Sequence, residues 1–153
     1  MCAIPTAIWS KSRMSGHKTS PGTLKLVVAG IVEYGNKFLI CQRKYPERLC
    51  GKWEFPGGKV ERGETQEAAL SRELVEELGI VTRIGSQFHV NEYRDAYSAI
   101  KLVTYLATYI SGEIHLLEHS DARWITAGEL AEYEFAPADL EVVAKLLLPD
   151  DVL

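Results

Sequence analysis

Three glutamates, Glu73, Glu76 and Glu77, carry the clearest chemical signal in the sequence. They fall at i, i+3 and i+4 of a segment, residues 66–78, whose leucines at 70, 74 and 78 recur every four residues. On a helix, at roughly 100° per residue, the acids share one arc opposite the leucine stripe. Carboxylates crowded in this way repel one another unless something positive lies between them. A hard divalent cation with oxygen ligands is the natural partner. Solvated surface acids produce the same pattern more often than metal sites do, so the glutamates alone do not decide. Ala69 falls on the acidic arc, where a small residue leaves room for a ligand.

The wider string decides more. Gly58, Glu64, Arg72-Glu73-Leu74, Glu76-Glu77 and Gly79-Ile80 stand in a fixed spacing that ordinary residue frequencies produce with a chance on the order of 10⁻⁸. The string matches the Nudix box at every specified position. The chain resembles a Nudix hydrolase and, within that family, the MutT-type nucleoside triphosphate pyrophosphohydrolases, from about Leu24 to Leu148. The lead-in Trp53-Glu54-Phe55-Pro56-Gly57-Gly58-Lys59 is similar to that of MutT.

The resemblance implies an α/β (α+β) fold, a mixed β-sheet sandwiched between helices, with the box forming loop–helix–loop. It implies Mg²⁺, with Mn²⁺ as the alternative, held by Glu73, Glu76, Glu77 and the Gly57 carbonyl. Arg72 and Glu64 would stabilise the loop and orient the acids. A further acid is expected in the loop before Trp124. Glu118, six residues ahead, fits the family spacing better than its competitor Asp121. The implied reaction is attack on the β-phosphorus of a nucleoside triphosphate, releasing monophosphate and pyrophosphate. Either Glu73 or Glu118 would take the proton.

Base selectivity must come from outside the box. Phe55 corresponds to an aromatic that packs on the base in MutT, and core packing is its other reading. Leu24 and Leu26 would line the same cleft, with Tyr93 or Tyr97 as a second wall. Arg43 offers a fork of donors for phosphate, or is a strand-end cation. Asp139 stands where MutT has asparagine. An ionised aspartate only accepts hydrogen bonds, which suits donors such as the cytosine amino group or the N–H groups of an oxidised guanine. Asp139 also sits where an acid favours a helix start. The expected substrate is an oxidised or cytidine-type nucleotide. The alternatives are a nucleotide sugar, an RNA 5′ end, or a non-catalytic nucleotide-binding module.

These residues need a scaffold. Leu24–Tyr34 and Lys37–Arg43 read as strands joined at Gly35-Asn36. Thr65 caps and Gly79 ends the glutamate helix, and Ala68 and Val75 widen its apolar stripe. Val81–Val90, Ile100–Ile110 and Asp121–Ile125 read as strands. Thr126 to Glu129 has capping-box spacing. Pro137 opens a last helix with Leu140, Val143, Ala144 and Leu147 on one side.

The chain has 153 residues, 25% of them charged, and a net charge of −4. That size suits one domain, expected over residues 24–150, and that charge gives no general footprint for duplex nucleic acid. No apolar run approaches the ~20 residues of a membrane span. The three cysteines form no CxxC pair, which argues against zinc. Residues 1–23 hold basic residues and no acid, and read as a disordered leader, with a transit peptide or a true start at Met14 as alternatives. The expectation is a cytoplasmic monomer or homodimer acting on a small nucleotide.

Overall fold

The computed structural model describes residues 23–148, so the expected leader lies, but for Thr23, outside the described residues. Among these residues seven strands form one mixed sheet. In chain order they are β1 (Lys25–Tyr34), β2 (Lys37–Arg43), β3 (Trp53–Glu54), β4 (Gly57–Lys59), β5 (Val81–Arg94), β6 (Ala99–Ser111) and β7 (His119–Ile125). The main path runs β3-β2-β1-β6-β5, with β4 paired to β1 and β7 to β2. β1 and β6 run parallel; every other pairing is antiparallel.

β1 changes partner along its length. Val27, Val28 and Ala29 pair with Lys59, Gly58 and Gly57, whereas Glu33 and Tyr34 pair with Phe38 and Lys37 across the expected hairpin. Gly35 takes the positive φ of that tight turn, 65°.

The two-residue side-chain period of the strands separates two cores. Val28, Val32, Leu39 and Cys41 point to the face covered by helix α1 (Gln66–Leu78). Ala29, Ile31, Phe38 and Ile40 point to the opposite face, where helix α2 (Leu140–Leu146) and short 3-10 turns lie.

α1 is capped as expected. The Thr65 hydroxyl accepts from the Ala68 N–H at 3.0 Å, and Gly79 closes the helix in the left-handed conformation with φ 76°. Leu70, Leu74 and Leu78 are buried, each worth about 1.5–3 kcal/mol of apolar burial. The stripe is widened on the side opposite to expectation: Ala69 is buried, while Ala68 and Val75 are exposed. Ala69 therefore belongs to the core and not to the acidic arc.

Two other expectations change. β5 continues past Val90 to Arg94 and β6 begins at Ala99, so the gap expected between Val90 and Ile100 shrinks to a turn in which Asp95 accepts from the N–H groups of Tyr97 and Ser98. The last helix begins at Leu140, after a 3-10 turn at Pro137–Asp139, and buries Val142. Leu140 and Leu147, placed on the inner side by periodicity, are each 53% exposed. Seven residues are too few for an apolar period to be read reliably. Thr126 does open a short 3-10 helix, and its N–H donates to the Glu129 carboxylate at 2.8 Å.

Candidate active site

A cavity of about 630 Å³ opens where β4, the exposed arc of α1 and the start of β7 meet. Glu73, Glu76, Glu77, Glu118, Gly57 and Gly58 line one part of it, and Phe55 and Asp139 line another. The structure thus brings together the box acids, the loop acid and the residue standing in place of asparagine.

Arg72 organises the acidic part. Its Nε and one terminal nitrogen grip the two oxygens of Glu64 at 2.6 and 3.0 Å. The other terminal nitrogen reaches Glu76 at 3.1 Å and Glu73 at 3.3 Å, and the Lys59 carbonyl accepts at 3.2 Å. Glu64 in turn accepts from the Glu61 N–H at 3.0 Å. One guanidinium therefore ties the loop to the helix and spreads its charge among three carboxylates.

The remaining acids are crowded. Burial, chiefly, and the charges of Glu73 and Glu54 raise Glu77 to about 9; burial raises Glu73 as well, and the two carboxyls share a hydrogen bond. At neutral pH this pair shares a proton, and a divalent cation in that place would offset more of the crowded negative charge. Among the described residues, no three of His, Cys, Asp or Glu already converge on one ligation point. The donor set nonetheless suits a hard divalent cation: carboxylate oxygens, partly buried, with repulsion to relieve.

Beside the acids lies a partly buried triad, Arg43, Glu54 and the fully enclosed His119, of which the sequence points only to Arg43. Glu54 accepts from Arg43 at 2.6 Å through one oxygen, and the other lies 2.9 Å from His119 Nε2. Burial opposes the charge on Glu54, but Arg43 and His119 outweigh it and lower the carboxyl to about 2. The second terminal nitrogen of Arg43 donates to the Tyr45 carbonyl at 3.1 Å, so its fork is already engaged within the protein. The one available hint was Glu54 itself, an acid between Trp53 and Phe55 in a short extended segment.

Asp139 is buried in the same cavity. Burial first, then the charge of Glu54, pushes it well above the usual carboxylate range, against the opposing pull of Arg43 and the Phe55 N–H. Burial thus disfavours the ionised, accept-only aspartate expected from the sequence, and a protonated carboxyl can donate as well as accept.

Other expected wall residues are redistributed. Phe55 lines the cavity but is only 2% exposed and stacks on Phe135 at 5.3 Å, so core packing is a large part of its role. Leu26 packs in the α1-side core and Leu24 does not line the cavity; Lys25, Val27 and Ala29 do. A one-residue slip along a strand exchanges its faces, which accounts for the correction. Tyr93 lines the cavity, whereas Tyr97 projects into solvent beneath Arg48. Asp121 pairs with Arg123 at 3.1 Å away from the cavity, leaving Glu118 as the loop acid that faces the box. Among the described residues no helix is long and apolar enough to cross a membrane.

Comparison with known proteins identifies the family. Residues 24–146 match the model of the NUDIX domain family. The 8-oxo-dGTP diphosphatase of Escherichia coli K12 is 37% identical over 123 residues, covering 80% of this chain and 95% of the relative. The CTP pyrophosphohydrolase of the same organism is 37% identical over 117 residues, covering 76% and 87%. The solution structure of the E. coli ORF135 protein superposes with a TM-score of 0.72 at 35% identity, covering 82% of this chain and 91% of that one. The chain belongs to the Nudix hydrolases, a family that generally uses a divalent metal and acts on small nucleotide substrates.

Proposed function

We propose that the protein is a Mg²⁺-dependent pyrophosphohydrolase that cleaves an oxidised or cytidine-type (deoxy)nucleoside triphosphate to the monophosphate and pyrophosphate. Glu73, Glu76, Glu77 and Glu118, with the Gly57 carbonyl, would hold the cation. When bound, it neutralises phosphate oxygens and lowers the pKa of water. The water oxygen attacks the β-phosphorus, the bond from that phosphorus to the α–β bridging oxygen breaks, and the water's proton passes to a carboxylate, Glu73 or Glu118. Arg72 and Glu64 keep the acids in place.

The observation that carries the substrate reading is Asp139, buried in the wall of the cavity that the acids line, where burial pushes its carboxyl upward. Its carboxyl accepts from a base-edge donor and, when protonated, also donates to an acceptor beside it. Cytosine offers an amino donor, and guanine an O6 acceptor; oxidation of guanine adds an N–H. Relatives named for 8-oxo-dGTP and for CTP are in keeping with such an edge.

The test is pyrophosphate release with Mg²⁺ over dCTP, CTP, 5-methyl-dCTP, 8-oxo-dGTP and 2-hydroxy-dATP. A marked ranking is expected, lost in Asp139→Ala and largely kept in Asp139→Asn, which also donates and accepts. Equal rates on every triphosphate, or activity only on nucleotide sugars or capped RNA, would sink the reading. Glu76→Gln should abolish turnover; unchanged release in that variant removes the metal assignment.

A further inference from the structure

We infer that Tyr45 is a positioning residue for Glu118, so that the segment between β2 and β3 sets how tightly the loop acid joins the cation site. The inference rests on the assignment of Glu118 to that site.

The Tyr45 hydroxyl donates to Glu118 Oε1. The tyrosine is buried at the cavity wall, 73 positions away in sequence from the acid it holds. Its backbone is held as well, since its carbonyl accepts from Arg43 at 3.1 Å. Arg43 grips Glu54, Glu54 bonds His119, and His119 follows Glu118 in the chain. The contacts close a ring: Tyr45, Arg43, Glu54, His119, Glu118 and back to Tyr45. Strand pairing supports it, with Arg43 opposite His119 just past a register shift in the β2–β7 ladder.

The ring answers a physical problem. Glu118 ends an irregular stretch between β6 and β7 and shares a cavity with Glu73, Glu76 and Glu77. Repulsion from those acids favours turning Glu118 out to solvent. A phenol is a neutral donor: it satisfies one carboxylate oxygen and adds no positive charge that would compete with a cation. The second oxygen is left for a ligand. The cost of ordering the side chain is thus met before the ion arrives, which is preorganisation.

The experiment measures Mn²⁺ binding to the full-length, nucleotide-free protein by electron paramagnetic resonance. Tyr45→Phe should weaken binding about tenfold, at the lower end of losses for residues that orient metal ligands. Glu118→Gln should weaken it too, and adding Tyr45→Phe to that variant should cost nothing more, because coupled residues are not additive. Unchanged or tighter binding in Tyr45→Phe overturns the inference, as does an equal loss in both backgrounds. If Glu118→Gln alone leaves binding untouched, the assignment of Glu118 falls instead. A second reading needs no tyrosine variant: in protein labelled at tyrosine Cζ, Glu118→Gln must shift the Tyr45 resonance, and a stationary resonance overturns the inference.

Discussion

Gly58 and Glu73 meet so closely that a Cβ built on the glycine would lie 2.3 Å from the Glu73 carboxyl carbon. The neighbouring Gly57 is confined differently, since a Cβ there would fall 1.9 Å from the Val28 carbonyl oxygen. The two glycines should therefore fail in different ways. Gly58→Ala should fold and displace Glu73, lowering kcat at least a hundredfold, as small misplacements of reacting groups do. Gly57→Ala should disturb the β1–β4 pairing and lower the melting temperature. Steady-state kinetics and thermal melts of both variants check this; equal melting losses would contradict it.

Arg72 uses a planar fork to reach Glu64, Glu73 and Glu76 together, and lysine has only a point charge to offer. Arg72→Lys should lower kcat/KM by about ten- to a hundredfold, the range for residues that orient metal ligands. The Mg²⁺ concentration needed for half-maximal activity should rise in parallel. Wild-type activity in the lysine variant would show that charge alone suffices.

Asp139 predicts a pH dependence of stability with a definite sign. Its folded-state pKa lies well above its usual value, so above about pH 4 the folded protein keeps a proton that the unfolded chain releases. The stability associated with that proton is complete below pH 4 and is lost as pH rises towards the folded-state pKa. Asn at 139 does not titrate. The stability of wild type minus that of Asp139→Asn, from urea unfolding at pH 5 to 8, should fall steadily. Glu77, raised to about 9, acts alike in both proteins and drops out of the difference. A flat difference would mean that Asp139 is ionised in the folded state.

Helix α2 sets a buried position, Val142, against an exposed one, Leu140. Val142→Ala should cost about 1–3 kcal/mol, as a small cavity in a packed core does. Leu140→Ala should stay within about 0.5 kcal/mol, the usual range for surface sites. Urea midpoints measured side by side distinguish them.

Much of the site was legible because it is local. The box acids lie within five residues on one helix, and the leucine stripe and the caps at Thr65 and Gly79 depend on near neighbours only. Glu54 and His119 were illegible because their meaning comes from pairing across 65 positions, and Tyr45 for the same reason across 73. Leu24 and Leu26 failed through parity: periodicity shows that a strand has two faces and not which face meets which core. Asp139 was found by position, but its charge state depends on burial beside Glu54, which only the folded chain supplies.

The parallel pairing of β1 with β6 has a consequence for the order of assembly. Lys25 meets Ile100 and Glu33 meets Thr108, so the central strand has no permanent neighbour on one side until most of the polypeptide exists. The glutamate helix is synthesised well before the sheet beneath it can be finished. Distant pairings of this kind slow folding. A nascent chain stalled before residue 100 would hold every glutamate of the box and still lack nearly all of β6, so the finished sheet beneath the box forms only late in synthesis.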